Sequence, residues 1–377
     1  MIEEKKILPD EIELSEIVLA KTNHAFEKIR QEDTDNMKNK NTKNKKILKP
    51  QAAAIAGVCL LAVSSISVAA AINHYWGRGM NGNLQATDSQ QQELTDNGMA
   101  VVYPESEDYS SMKITQNGVT VAPNTVIVDD RFAYLSFTIS GYNVEEGQEP
   151  DFEEVDVSSK DVELNMNGGM YDGIVPDEKG TPVYEDGKPL EFGENGDLIS
   201  HYVDENGNIE YVIQAYVSDE KNSILGKTID VDFHNLGTVY KADFAKALDG
   251  TWNFEIKLPD VSSSKNFEIN KNIEGTEFTI ESIEMSPISI KANYSITNAP
   301  EDSEDEFGIP QVQGVILKDG TKIAYLTDGG ITGYTDETQQ KAINVFGFDR
   351  VIDVEQVQSL LILTGYESEP VVVEIHR

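Results

Sequence analysis

The sequence predicts a mainly β protein with two extracytoplasmic antiparallel β-sandwich-like domains, one transmembrane helix and one short cytoplasmic amphipathic helix. Three observations predict this arrangement. Residues 52–72 contain no charged side chain. Beyond residue 112, apolar and polar residues alternate with the period of two that is typical of strands. The dipeptide Asn117-Gly118 stands between two of these alternating stretches, which is a strong hairpin signal.

We therefore predict five segments. They are a cytoplasmic helix with a basic tether (1–50), a transmembrane helix (51–73), a juxtamembrane linker with a short helix (74–111), a β-sandwich domain with a hairpin insertion (112–260) and a second β domain (266–377).

The charge is strongly acidic and unevenly distributed. The chain has 66 Asp and Glu residues against 30 Lys and Arg residues, a net charge of −36. Residues 1–50 are nearly neutral, so the excess of negative charge lies beyond the uncharged run. This disfavours nucleic acid or an anionic lipid surface as a direct partner for the bulk of the chain.

The tail is predicted to contain an amphipathic helix at residues 9–31, with Asp10 as its N-cap. An isolated helix of this length cannot bury its own apolar stripe, so we expect a protein partner there. A tail that frays in solution and only orients the chain is the alternative. The predicted partner-binding residues are Leu14, Ile17, Val18, Ala25, Phe26 and Ile29.

The uncharged run is long enough, as a helix of about 31 Å, to cross the hydrocarbon core of a bilayer. Lysines crowd its N-terminal side, which predicts a cytoplasmic N-terminus, and Trp76 follows it as an expected interfacial anchor. A buried soluble helix is disfavoured by these flanks, and a cleaved signal peptide by the long hydrophilic leader. The orienting lysines are Lys38, Lys40, Lys43, Lys45, Lys46 and Lys49.

Strands and turns are predicted along the rest of the chain. A short helix capped by Thr87 or Asp88 follows a Gly/Asn-rich joint at residues 77–83. A second short helix, residues 354–360 with Asp353 as its cap, is expected near the end. An extended hairpin insertion is expected at 173–207 and a linker at 259–265. The predicted strands are 112–116, 119–128, 132–140, 162–166, 209–217, 228–233, 252–258, 267–270, 278–285, 288–297, 312–317, 322–325, 342–348 and 371–376.

Chemical motifs are sparse. The five histidines are scattered and Cys59 is the single cysteine, so we predict no metal site, no cofactor and no catalytic residues. The segment from Asp204 to Asn208 is similar to a calcium loop, but Ile209 stands where that loop requires glycine. A tight hairpin turn is the preferred interpretation, and we expect the protein not to be an enzyme.

Several segments carry a family resemblance. They are 24–30, 76–80, 84–87, 117–121, 129–135, 251–255 and 285–288. In this order they resemble the anti-sigma-factor-like single-pass membrane proteins of Gram-positive bacteria that carry the domain of unknown function 4179. The resemblance implies that the cytoplasmic helix binds a sigma factor and that the outer domain senses the envelope. The cysteines of zinc-binding anti-sigma proteins are absent from the tail.

The expected function is therefore a membrane-anchored regulator at the cell membrane. Its expected partners are a cytoplasmic sigma factor, membrane lipid around one helix and an unknown extracytoplasmic ligand. An envelope adhesion or cell-wall-binding protein with an N-terminal anchor is the alternative, and an acidic hydrolase is a third hypothesis.

Overall fold

The computed structural model describes residues 76–375, with gaps at 106–107, 146, 178, 194–195, 218–221, 241–242, 298–307 and 366–368. The predicted tail helix and the predicted span lie outside the described residues. Among those described, no helix is both long enough and apolar enough to cross a membrane.

The described residues form a mainly β structure, as predicted, and all pairings between its strands are antiparallel. Two helices precede the strands: α1 (Arg78–Asn83) and α2 (Asp88–Asp96). We call residues 76–99 the helical segment. The N-terminal β module comprises strands 1–11 of the chain, and the C-terminal β module comprises strands 12–20.

The N-terminal β module contains a six-stranded sheet, a three-stranded sheet and a small two-stranded sheet. The first has the order β1-β3-β4-β9-β6, with β2 beside β3, and the second the order β11-β10-β5. The strands are β1 Ala100–Val102, β2 Ile114–Gln116, β3 Val119–Val128, β4 Phe132–Ser140, β5 Glu149–Ser158, β6 Asn165–Met170, β7 Ile174–Pro176, β8 Pro182–Tyr184, β9 Ile209–Tyr216, β10 Thr228–Tyr240 and β11 Asp243–Lys257.

Side chains from the two larger sheets of this module share one core. Phe137 of β4 meets Phe233 of β10 edge to face, with 4.9 Å between ring centroids, and Trp252 of β11 is fully buried in the same cluster. The opposite face of β4 is also covered, because Phe132 and Tyr134 belong to the core shared with the C-terminal β module. Because both faces are covered, nearly every residue of β3 and β4 is buried.

The C-terminal β module pairs a five-stranded sheet, order β12-β13-β14-β18-β17, with a four-stranded sheet, order β16-β15-β19-β20. Its core contains Tyr294 of β14, Val315 of β15 and Leu360 of β19. The strands are β12 Lys265–Asn272, β13 Phe278–Met285, β14 Ser289–Ile296, β15 Gln311–Leu317, β16 Lys322–Ile323, β17 Thr327–Tyr334, β18 Lys341–Phe348, β19 Val357–Leu363 and β20 Val371–Glu374.

Two local predictions are wrong. The predicted helix at 354–360 is a single 3-10 turn, Val354–Gln356, followed by strand β19. Asp353 does cap that turn, accepting the Glu355 amide, but pairing with β15 and β20 converts the rest to strand. The Gly/Asn-rich joint at 77–83 is also not a joint, since most of it forms α1.

Two other local predictions are confirmed. The hydroxyl of Thr87 accepts the Gln90 amide at the start of α2, while the Gln90 side chain accepts the Thr87 amide. The carboxylate of Asp204 accepts the amides of Asn206 and Asn208, both at 2.8 Å, which closes the predicted tight turn.

Candidate functional site

The helical segment is built into the protein core. Trp76, Met80, Leu84 and Met99 are fully buried, and they belong to one cluster with the apolar side chains of the C-terminal β module. The carbonyl of Gln85 accepts the Val351 amide, and the Gln85 amide donates to the Asp349 carbonyl, both at 2.8 Å. The residues that follow the predicted span are therefore an integral part of the β structure and not a loose linker.

Trp76 was predicted to anchor the chain at a lipid interface, and its burial contradicts that prediction. The Trp76 carbonyl accepts the Thr125 hydroxyl at 2.8 Å, and its amide donates to the Gln91 side chain at 3.2 Å. Trp76 is fully buried in the protein core, so its indole is not available to lipid headgroups. The sequence pattern was misleading because an aromatic residue beside an apolar run suits both environments.

Glu210 of β9 holds the beginning of α1. Its carboxylate accepts the amides of Arg78 at 3.0 Å and Gly79 at 2.8 Å. A side chain at position 79 would begin 2.9 Å from the Glu210 carboxylate, so this approach requires glycine. Burial raises the pKa of Glu210 to about 7, although the two amide hydrogen bonds and the nearby Arg78 lower it.

Arg78 links α1 to the hairpin insertion between β6 and β9. Its guanidinium pairs with Glu185 at 2.8 Å, and it donates to the backbone carbonyls of His201 and Tyr202. The guanidinium also lies 4.9 Å from the centre of the Tyr171 ring, within the range of a cation–π contact. The insertion is thus fixed to the helical segment.

A buried carboxylate joins the two β modules. Asp129, at the turn between β3 and β4, is fully buried and accepts the amides of Arg131 and Phe132 at 2.8 and 2.7 Å. It also accepts hydrogen bonds from the hydroxyls of Ser286, in the β13–β14 turn, and Ser289, the first residue of β14. Burial raises the pKa of Asp129, while these four hydrogen bonds lower it.

A second polar contact crosses the same junction. The buried hydroxyl of Tyr134 donates to the Phe348 carbonyl at 2.9 Å. Gln214 of β9 donates to that hydroxyl at 3.1 Å and to the Asp328 carbonyl at 2.8 Å. The position of Asp328 in the C-terminal β module is therefore fixed by a side chain of the N-terminal one.

The cleft is an open cavity of about 620 Å³ between α1 and the two β modules. Gly82 of α1 and Tyr171 both line this cavity and are in close contact, since a Cβ at position 82 would lie 2.1 Å from the Tyr171 ring. The polar side chains that line the cleft include Asn83, Asp172, Gln214, Tyr325, Asp328 and Asp349.

A separate surface group places His234 near two carboxylates. Glu154 and Asp156 of β5 and His234 of β10 have possible ligand atoms within 4.8 Å of one another. Glu154 and Asp156 are exposed, and no further feature points to a bound ion. The sequence analysis missed this group because its members lie on paired strands about 80 positions apart.

The other predicted site residues lie outside the described residues. This holds for the six tail residues expected to bind a partner and for the six orienting lysines. The polar residues of the junction and the cleft were not predicted. One signal could have identified Glu210 and Gln214. Both lie between apolar residues in a strand whose sequence is typical of a buried one, and a buried polar side chain needs a specific hydrogen-bond partner.

No family model and no curated protein matches this chain. The solved structures include a crystal structure described as that of the conserved domain protein from Bacillus anthracis. It is 16% identical to this chain with a TM-score of 0.42, covering 71% of this chain and 87% of its own.

Proposed function

We propose that this protein is a membrane-anchored regulator of the anti-sigma type, with a cytoplasmic capture helix and an extracytoplasmic β domain that senses a signal. The observation that carries the proposal is the burial of the helical segment between the two β modules. A change in how the modules pack would move the residues that directly follow the predicted span.

The rival hypothesis, an envelope adhesion or cell-wall-binding protein, makes no use of this arrangement. An adhesion domain needs only a tether, and a flexible one serves it well. The apolar stripe of the tail supports the same choice, because a simple anchor has no need of it. Burying one such side chain contributes roughly 1.5–3 kcal/mol, so several of them suffice for a specific helix-in-groove complex.

The test replaces Val18 and Phe26 with Asp in the full-length protein. We expect this variant to lose capture of a cytoplasmic sigma factor and to switch on the genes that depend on it. The matched control is Ala20→Asp with Asn23→Asp, which adds the same charge on the opposite face of the predicted helix. Both variants should reach the membrane in equal amounts.

Three outcomes decide between the hypotheses. Loss of capture in the stripe variant alone supports the regulator. Unchanged capture and transcription in the stripe variant would leave the tail as an anchor and favour the adhesion protein. Equal loss in both variants would attribute the effect to added charge and would also count against a specific groove.

A further inference from the structure

The charged side chains that line the cleft are all acidic. Asp172, Asp328 and Asp349 contribute to it, and none of its described lining residues is Lys, Arg or His. Asp349 is already neutralised, because the guanidinium of Arg350 donates to both of its oxygens at 2.9 and 3.1 Å. This leaves two carboxylates for which the described part of the chain provides no salt bridge.

Asp172 is half-buried and Asp328 is exposed, so both carboxylates can be reached from the solvent. Burial raises the pKa of Asp172 despite an amide hydrogen bond from Ile174 and the nearby positive charge of Arg78. That charge is already engaged by Glu185 at 2.8 Å. A cation that entered the cleft would offset the desolvation of the Asp172 carboxylate and would pair with the exposed carboxylate of Asp328.

The geometry favours an extended organic cation over a metal ion. The oxygens of Asp172, Asp328 and Asp349 do not form a group within 4.8 Å, so one small ion cannot be held by all three. The cavity also has room for several heavy atoms. Tyr325 also lines the cleft and is 53% exposed, so its aromatic ring is within reach of an ammonium or guanidinium group in the cleft.

We propose that the cleft binds a short, flexible organic molecule with at least two amine or guanidinium groups, one paired with Asp172 and another with Asp328. A polyamine and a short basic peptide share this chemistry. Because Asp172 belongs to the N-terminal β module and Asp328 to the C-terminal one, the ligand bridges the two modules beside α1. This inference deepens the proposed function by naming the chemical class of the signal. The regulatory role of the ligand rests on the proposed function, whereas the binding of the ligand does not.

The test measures binding of spermidine and of tri-lysine to the full-length protein in a non-ionic detergent. Isothermal titration near 0.15 M salt limits general attraction to the acidic surface. The site variant combines Asp172→Asn with Asp328→Asn, and the control combines Glu274→Gln with Glu337→Gln at exposed positions. Both double variants remove the same charge. Near-ultraviolet circular dichroism checks that each is folded.

We expect the site variant to bind at least one of the two probes about tenfold or more weakly than the wild type, a difference of about 1.4 kcal/mol, and the control to bind like the wild type. The single variant Asp328→Asn, which removes a charge from an exposed side chain, should show part of the loss even where the double variant is unstable. Binding of spermidine alone or of tri-lysine alone supports the proposal and identifies the source.

The proposal is overturned where neither probe binds the wild type, or where the site and control variants lose affinity equally. It is independent of sigma-factor capture. If the protein captures the sigma factor but binds neither probe, the ligand proposal is refuted and the proposed regulatory function stands. If it binds a probe but captures no sigma factor, the ligand proposal stands and the regulatory function is refuted.

Discussion

Replacing Glu210 with Gln should change how the stability of the protein depends on pH. Glu210 is 6% exposed, and burial raises its pKa from 4.5 to about 7. Between those pH values the folded protein keeps a proton that the unfolded chain has released. The free energy of unfolding therefore falls as the pH rises through this window, and the contribution of Glu210 is constant above and below it.

The magnitude follows from the difference of about 2.5 pKa units. Each unit corresponds to about 1.36 kcal/mol, so Glu210 should lower the free energy of unfolding by about 3 kcal/mol between pH 4.5 and pH 7. Glutamine has nearly the same shape and does not titrate, so the Glu210→Gln variant lacks this fall. It still offers one oxygen to the two amides of Arg78 and Gly79, leaving one of these hydrogen bonds unmade.

The assay is urea unfolding of the full-length protein in non-ionic detergent at several pH values from 4.5 to 8. The two tryptophans, Trp76 and Trp252, are both fully buried and report on unfolding by fluorescence. Other carboxylates titrate in both proteins, so the informative quantity is the wild-type free energy minus that of the variant. It should fall by about 3 kcal/mol across the range.

The control is the same substitution at Glu274, an exposed side chain outside the junction, which should leave that difference nearly constant. A constant difference for Glu210→Gln as well would refute the argument. It would mean that Glu210 is not desolvated in the folded protein, and that α1 is not docked on its carboxylate as described.

Two further substitutions test the junction. Asp129→Ala leaves two hydroxyl donors and two amide donors without their acceptor, so it should lower the free energy of unfolding by about 3 kcal/mol in the same urea assay. The control, Asp130→Ala, should change it by less than about 0.5 kcal/mol. Gly82→Ala should lower the free energy of unfolding by about 1–3 kcal/mol, because the added Cβ would clash with the Tyr171 ring, even though alanine is the better helix former. The control is Gly169→Ala, where an added Cβ has no neighbour within 4 Å. A Gly82→Ala variant that is more stable than the wild type would contradict the packing of α1 on this ring.

The sequence predicted the strands best where burial gives a plain pattern. The predicted bounds of β3, β4 and β13 agree with the structure at both ends. The turn between β2 and β3 also agrees, since Asn117 and Gly118 both have positive φ, as a two-residue hairpin of this type requires. Local chemistry and the alternation of side chains determine these elements almost alone.

The strands that were not predicted include β5 and β17, each for a different reason. β5 is rich in acidic residues and lies at the edge of its sheet, with several charged side chains exposed, so it resembles a loop in composition. β17 contains three glycines and little apolar character. It exists because β18 provides a paired neighbour along most of its length. Pairing with a strand that is distant or composed differently is not visible in a local window.

The site was harder to predict because its contacts join residues that are far apart in the chain. Tyr134 and Phe348, whose hydrogen bond crosses the junction, are separated by 214 positions. No periodicity connects such residues. The residues of the cleft could not be predicted either. The chain contains many Asp residues, and the local sequence does not distinguish one that lines a cavity from the others.

Four of the seven segments on which the family resemblance rests lie at this junction. Segment 129–135 contains Asp129 and Tyr134, and segment 285–288 contains Ser286 and Ile288, which those two residues contact. Segment 76–80 contains the first residues of α1, segment 84–87 directly follows α1, and both contribute side chains to the same core. These four segments therefore contain residues that fix the helical segment to the two β modules. Asp172 and Asp328 lie outside all of these segments, so the cleft proposed to bind the signal is separate from the residues that join the two β modules.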